Sequence, residues 1–459
     1  MDRTLCLFRD DLRVTDNPAL TAGLERLGSG GDVVALYVLE DSTPGLRPLG
    51  GAARWWLHGA LEDLRRSLEQ LGIPLLLRRG DSRRIVAETA EAARASRVHL
   101  TRRYGVAGQD VDSELMATLR RRGVAVEEWP GHLLHEPEDV ATVSGEHYKV
   151  FTPFWRALRS RAVQEPLPAP RGGQGLQSVR HSLNGLGVSS GDLSRWELRP
   201  SSPDWAAGLR EIWEPTERAA LRHLEDFVDG GIERYASERD LPAAPATSGL
   251  SPFLRFGQIS VRQVWHSGVR AGGTDREDFL SELAWREFHW HLLHHHPRMA
   301  EQNMRPTFDA YPWQSRRDAP ELFRAWAQGR TGFPLVDAGQ RELWRTGHMH
   351  NRVRMVSASL LVKNFGIDWR EGEAWFWDTL VDADAASNPG NWQWVAGCGV
   401  DAAPYFRIFN PERQRQRFDP EGRYVARWVP ELGSTEYPAP VVELQESRQE
   451  ALAHYQSLG

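Results

Sequence analysis

The hydrophobic rhythm of the chain changes once, and the change falls in a stretch of Pro, Gly and Ser. In the first part, short apolar runs rich in strand formers, at 4–8 (TLCLF), 33–39 (VVALYVL), 75–78 and 97–100, alternate with segments at 53–71, 83–95 and 110–121 whose apolar positions recur every three or four residues. That alternation predicts βαβ units on a parallel sheet, a doubly wound α/β domain of about 130 residues. Between about 164 and 203 the text reads EPLPAPRGGQGLQ and then NGLGVSSGDLS, which is linker composition. From about 205 the strand signals vanish. Periodicity predicts helices over 214–230, 260–271, 275–296, 320–329, 334–346, 350–365 and 370–381, with one more polar helix in the last 20 residues. The expected architecture is an α/β domain over 1–132, an interdomain linker over 133–203 and an all-α domain over 204–459.

At 459 residues the chain is long enough for two cores. No apolar run is long enough to span a bilayer, and the N-terminus, MDRTLCLFRDDLR, lacks the pattern of a secretory signal. Two cysteines far apart, Cys6 and Cys398, make no disulfide framework, so a reducing cytoplasm is the expected setting for what should be a monomer with no membrane partner. A net charge of −6 argues against coating nucleic acid non-specifically over the whole surface, while leaving room for a local basic groove. Of the 19 tryptophans, 14 lie beyond residue 200, so the second half holds either a very large aromatic core or an aromatic-lined site.

The densest chemistry lies between Trp344 and Phe409. Asn351, Arg352 and Arg354 precede an apolar run, and Asp382 and Asp384 precede Trp392 and Trp394. Such charges are costly to bury unless each finds a partner. An Arg and an Asp set together against a planar aromatic ligand satisfy that demand, so a large conjugated cofactor is expected. Upstream, Ser251 before Pro252 in TSGLSP predicts an N-cap and first turn. Thr247 and Ser248 beside Gly249 add hydroxyls that suit a phosphate, although a plain helix cap is the simpler reading. In FLSELAWREFHW, Glu282, Trp285 and Arg286 share one helical face, which suits a pocket wall better than a core. The histidines at 289, 291, 294, 295 and 296 invite a metal reading, but Leu292 stands where the zinc-protease motif needs Glu, and no metal is expected. Gly28, Gly30 and Gly31 precede a strand instead of following one, so no dinucleotide fingerprint is present. Neither a P-loop nor a nucleophile elbow appears, which leaves hydrolase and kinase readings without support.

Taken together, Tyr235, TSGLSP, ELAWREF, TGFPLVDAGQREL, MHNRVRM, DWREGE, DADAASNPGNWQW and DAAPYFRIFNP resemble the photolyase and cryptochrome flavoprotein family, and FRDDLR and HYKVFTPFWRAL extend the likeness over nearly the whole chain. The resemblance implies an α/β antenna domain joined by a long linker to a helical domain holding FAD. It assigns Tyr235, Thr247, Ser248, Leu250 and Ser251 to the FAD phosphates and ribitol, and places Phe279, where many relatives have Trp, and Arg286 beside the cofactor. Arg354 and Asp382 match an ion pair against the isoalloxazine, with Asp384 next to it, and Asn388 matches the residue facing flavin N5. A carboxamide there has no labile proton to hand over, so Asn388 favours the reduced anionic flavin of repair over the neutral-radical signalling of plant-type cryptochromes. Trp392, Trp369 and Trp313 match the tryptophans that re-reduce the flavin, though each is also a plausible core residue.

For the substrate, the resemblance implies UV-damaged DNA with the dimer flipped into a pocket. Glu282, Trp285, Asn351, Arg352, Met355 and Trp394 match the cyclobutane-dimer pocket, and Arg239, Arg352 and Arg407 match phosphate contacts at its rim. The (6-4) enzymes carry histidines at the positions of Asn351 and Met355, which disfavours that lesion. His348 departs from the common Trp. The RRYGVAGQDVD segment lacks the folate motif of the best-known bacterial enzymes, while RPLGGAARWWL resembles another branch. Methenyltetrahydrofolate is therefore expected ahead of a deazaflavin as antenna chromophore. A blue-light sensor and a light-independent flavin reductase are the competing classes.

Overall fold

The computed structural model describes residues 2–26, 31–142, 144–170, 190–273, 275–401 and 406–458. Much of the expected linker, 171–189, lies outside these residues, as do Gly28, Gly30 and residues 402–405 of the DAAPYFRIFNP motif.

The first part builds a parallel sheet in the order β3-β2-β1-β4-β5, from β1 Arg3–Phe8, β2 Asp32–Leu39, β3 Leu75–Arg79, β4 Arg97–Thr101 and β5 Ala125–Trp129. Helices α1 Pro18–Glu25, α2 Gly51–Gln70, α3 Ser82–Ala92 and α4 Val106–Arg121 connect the strands. The first two strands are buried along their full length, as strands covered on both faces must be, which is why they read as continuous apolar runs. Apolar periodicity gives no sign of β5 or α1. The edge strand β5, AVEEW, is only partly buried and carries two glutamates, while α1 is only 8 residues long. Because the chain leaves β1 towards β2 on one side and later towards β4 on the other, the strand order reverses beside β1. Crevices at such reversals, beyond the carboxyl ends of the strands, are where α/β sheets bind ligands.

The second part is helical. The helix expected over 275–296 runs Arg276–His295; the one expected over 350–365 is α-helical over Asn351–Ser359 and widens to a π turn over Leu360–Asn364. Helices Trp369–Thr379 and Ser387–Ala396 complete the surroundings of the site, while Pro334–Thr346 packs on Asn351–Ser359 and Leu444–Gln456 on Leu360–Asn364. No helix among the described residues is long and apolar enough to cross a membrane.

The two parts share one apolar core. Trp56 of α2 is fully buried, packs edge-on against Trp213 and Phe253 and flat on Phe256, and its Nε1 donates to Gln258 at 2.7 Å. Polar contacts reinforce the junction: Arg262 pairs with Asp16 at 2.7 Å with both side chains almost wholly buried, and Arg13 donates to the Gly257 carbonyl at 2.9 Å.

Candidate functional site

A cavity of about 1180 Å³, counting the space open to solvent at its mouth, lies in the helical part. Its lining side chains come from several elements. Tyr235 and Ser248 come from the segment before the short helix Ser251–Arg255, Phe279, Glu282 and Arg286 from helix Arg276–His295, and Asn351, Arg354 and Met355 from helix Asn351–Ser359. Asp382, Asp384, Asn388 and Trp392 come from the loop and helix that follow Trp369–Thr379.

The centre of the site is a charged pair. Arg354 donates from Nη2 to Asp382 Oδ2 at 2.9 Å, and its Nε is spent on the Met349 carbonyl. Burial pushes the Asp382 carboxyl up, but Arg354 and the Ser251 hydroxyl, 2.7 Å from Oδ2, outweigh it and hold the group below the usual carboxylate range. Asp382 therefore stays ionised, and its Oδ1 is buried with no partner among the described residues. An orphaned carboxylate oxygen in a cavity of this size calls for a ligand that donates N–H or O–H groups.

Ser251 corrects an expectation. Instead of capping its helix it is the first helical residue, Leu250 occupies the cap position, and the Ser251 hydroxyl turns across the cavity to Asp382. Thr247 is exposed and is not among the lining residues, whereas Ser248, Leu250 and Ser251 are. Asp384 has a local task as well: its Oδ1 accepts from the backbone of Ala386 and Ser387 at 2.8 and 2.6 Å, setting the start of the helix that carries Asn388 and Trp392. Arg286 lines the cavity while donating to the His132 carbonyl at 3.0 Å.

Glu282 lines the wall, as its helical face implied, but Trp285 does not. Its partly buried indole stacks flat on Phe151 of helix Phe151–Arg159 at 3.8 Å. Trp394 is also absent from the wall and is partly buried against the neighbouring core. The rim arginines are engaged: Arg239 pairs with Glu282 and Arg352 with Asp240, while the exposed Arg407 lies over the Phe409 ring at 4.6 Å. Burial raises the Glu282 carboxyl despite Arg239. His350 is pushed down to about 4, chiefly by burial, and its Nδ1 accepts from the Arg352 backbone to cap helix Asn351–Ser359. The one histidine beside Asn351 thus serves the fold. His348 stands edge-on to Trp213.

Of the three expected relay tryptophans, Trp392 alone lines the cavity. Trp369 is fully buried with its Nε1 donating to Asn303 at 2.9 Å, and Trp313 is partly buried against the same core. In the histidine cluster, His147 stacks on His295 at 4.5 Å, and among the described residues no group of His, Cys, Asp and Glu is arranged to hold a metal ion.

Arg255, Asn391 and Glu373 carry weight that the sequence analysis missed. Arg255 and Asn391 line the cavity, and Glu373 accepts from the Asn388 carboxamide. Glu373 stands inside the quoted DWREGE motif, but nothing local pairs it with a residue on the next helix.

A second cavity, of about 1690 Å³ counting the space open to solvent, occupies the crevice where the strand order reverses. Arg9 and Asp10 after β1, Glu40 and Asp41 after β2, and Arg102 and Arg103 after β4 line it, together with Trp290, Leu293 and Trp377 from the helical part. Arg255 lines both cavities.

Against known proteins, residues 279–436 match the family model described as the FAD binding domain of DNA photolyase, and residues 4–171 match the model described as DNA photolyase. The chain belongs to the DNA photolyase family. It is 45% identical to a deoxyribodipyrimidine photo-lyase of Agrobacterium fabrum over 98% of this chain and 96% of that one. With the Escherichia coli deoxyribodipyrimidine photo-lyase it shares 36% identity over 100% of this chain and 99% of the relative. A bacterial class III photolyase structure from Agrobacterium tumefaciens superposes with a TM-score of 0.92 at 43% identity, covering 100% of this chain and 98% of that one. A Synechocystis cryptochrome structure gives 0.84 at 27% identity, covering 99% of each chain. The α/β plus helical architecture expected from periodicity is that of these structures.

Proposed function

We propose that this chain is a light-dependent DNA repair enzyme that splits cyclobutane pyrimidine dimers with FAD held in the first cavity. One observation carries the reading: the buried Arg354–Asp382 pair with its orphaned Oδ1, set in a space of about 1180 Å³ whose wall also presents Glu282, Asn351 and Met355. These residues fit the cofactor. Asp382 offers an acceptor to the N–H edge of an isoalloxazine, Arg354 balances negative charge on the ring, and Tyr235, Leu250 and Phe279 give apolar walls. When bound and reduced, FAD supplies on blue-light excitation an electron that enters the dimer and returns after the ring has split.

The protein's own part is to bind, orient and exclude. Glu282 offers carboxylate oxygens to the imide N–H of a flipped pyrimidine, and Asn351 offers both a donor and an acceptor beside it. Arg239 keeps Glu282 paired until DNA arrives, because its guanidinium serves a phosphate equally well. Arg352 stands in the same relation to Asp240. Trp392 at the cavity wall, and Trp369 and Trp313 in and against the same apolar core, are the residues we assign to re-reducing the cofactor.

The second cavity is where we place an antenna chromophore. Its aromatic lining suits a conjugated molecule such as methenyltetrahydrofolate, with arginines and carboxylates both at hand for its polar groups. A photolyase of Sulfolobus tokodaii, 26% identical and covering 99% of this chain, has been solved with two FAD molecules and a proposed light-harvesting role, so an absorption spectrum of the purified protein decides between ligands.

Illumination of a thymine-dimer oligonucleotide with the reduced, FAD-loaded protein tests the main reading. Restored thymine in the light and none in the dark is expected; flavin-loaded protein without repair would move the assignment to a light sensor.

A further inference from the structure

The Asn388 carboxamide cannot choose which of its ends it shows the cavity. Its Nδ2 lies 3.0 Å from the Glu373 carbonyl oxygen and 2.8 Å from Glu373 Oε1. Both are acceptors only, so the NH2 group must face them and both its hydrogens are spent. Oδ1 is all that this cavity-lining residue has left to offer a ligand.

Glu373 is itself held. Arg47, from the segment between β2 and α2, donates from its two terminal nitrogens to Oε1 and Oε2 at 2.8 and 3.0 Å, a two-point fork that fixes the plane of the carboxylate. The Glu373 side chain is 4% exposed, and Arg47, 39% exposed, lies 4.2 Å over the Trp377 ring and lines the second cavity. A continuous line of hydrogen bonds thus runs from the wall of one cavity to the wall of the other, crossing the junction between the two parts of the molecule.

We propose that Arg47 and Glu373 are positioning residues that lock Asn388 with its carbonyl oxygen toward the flavin, so that the α/β domain sets the redox balance of the bound cofactor. The inference rests on the FAD reading above. A flavin carries a hydrogen on N5 when reduced and only a lone pair there when oxidised. A fixed acceptor favours the reduced form and opposes the oxidised one, whereas a carboxamide free to turn can donate its NH2 to the oxidised ring and erase the difference. Arg47 enters at a distance: without it the carboxylate loses its fixed plane, and the hold on Asn388 falls to the Glu373 backbone carbonyl alone, one bond in place of two.

The test is the midpoint potential of FAD bound to the whole protein, measured by spectroelectrochemistry. Arg47→Ala and Glu373→Gln are the variants. The first removes a partly exposed side chain; the second keeps the volume but can meet Asn388 through either end of its amide. Both should bind FAD in wild-type amounts yet shift the oxidised-to-reduced ratio at fixed potential by roughly tenfold toward oxidised, about 30 mV for a two-electron couple. Arg47→Lys, which returns a charge to Glu373, should recover most of the shift. Unchanged potentials in flavin-loaded Arg47→Ala and Glu373→Gln overturn the proposal. A wild-type protein that takes up no FAD overturns the flavin reading along with it, so the two failures are told apart by colour.

Discussion

Glu287 sits one residue past Arg286 with 2% of its side chain exposed, pairing with Arg286 at 3.1 Å and accepting the Leu134 N–H at 2.8 Å. Burial pushes its carboxyl up to about 7 in spite of those partners. A carboxyl whose folded value is raised binds its proton more tightly in the native state. Its contribution to stability is therefore full below the unfolded value and is lost as pH rises through about 7, on the order of 3 kcal/mol in all. Glu287→Gln should flatten the fall in melting temperature between pH 5 and pH 8, seen by differential scanning fluorimetry; an unchanged slope would assign the fall to other groups. At the surface, Arg407 is exposed and, among the described residues, lies over the Phe409 ring at 4.6 Å, a position from which it can meet a phosphate. Arg407→Ala should weaken binding of a thymine-dimer oligonucleotide severalfold at low salt and lower the salt slope by about one unit, with flavin content intact. Loss of flavin would remove Arg407 from the DNA face.

Between elements, the close approach of helices Trp369–Thr379 and Ser387–Ala396 depends on Gly372. A methyl group there would lie 2.1 Å from Cη2 of Trp392, a buried ring with no room to retreat. Gly372→Ala should cost a few kcal/mol through overpacking, although alanine is the better helix former. It should also perturb the Trp392 face of the cavity, read as lower FAD retention on dilution; wild-type stability and retention would show that the two helices can part. Element-level reading of the sequence succeeded where one period ran for many residues, as in the helices over 276–295 and 334–346. It failed at Ser251, where the local pattern of a cap is real but Asp382, 131 residues away, makes a better partner for the hydroxyl. At Trp285 the structure adds a stacking partner, Phe151, that helical periodicity does not specify.

For the molecule as a whole, the junction is a core and not a hinge. Trp56 of α2 is buried among Trp213, Phe253 and Phe256, and the buried Arg262–Asp16 pair lies across the same boundary. The two parts should therefore unfold together. Trp56→Ala should lower global stability by about 3–5 kcal/mol and lower the melting transitions of both parts by the same amount, followed by far-ultraviolet circular dichroism alongside flavin release. Separate transitions, with only the α/β part destabilised, would show the shared core to be energetically weak. The same junction brings Arg255 to the walls of both cavities and Arg47 to Glu373, contacts between residues more than 200 apart in sequence.

The sequence by itself determined the two-part architecture, because apolar periods of two and of three to four are local properties of the chain. It also carried the family, because several motifs stand in order along nearly its whole length. That an Arg and an Asp of this stretch should meet was legible because charges set in apolar text demand partners; that the pair is Arg354–Asp382 came from the family resemblance. Only the tertiary structure decided which side chains share a wall, as with Trp285 and Thr247 leaving the cavity and Arg255 and Glu373 joining its surroundings. Such choices are competitions among partners far apart in the chain, settled by distance and burial, which a linear pattern does not encode.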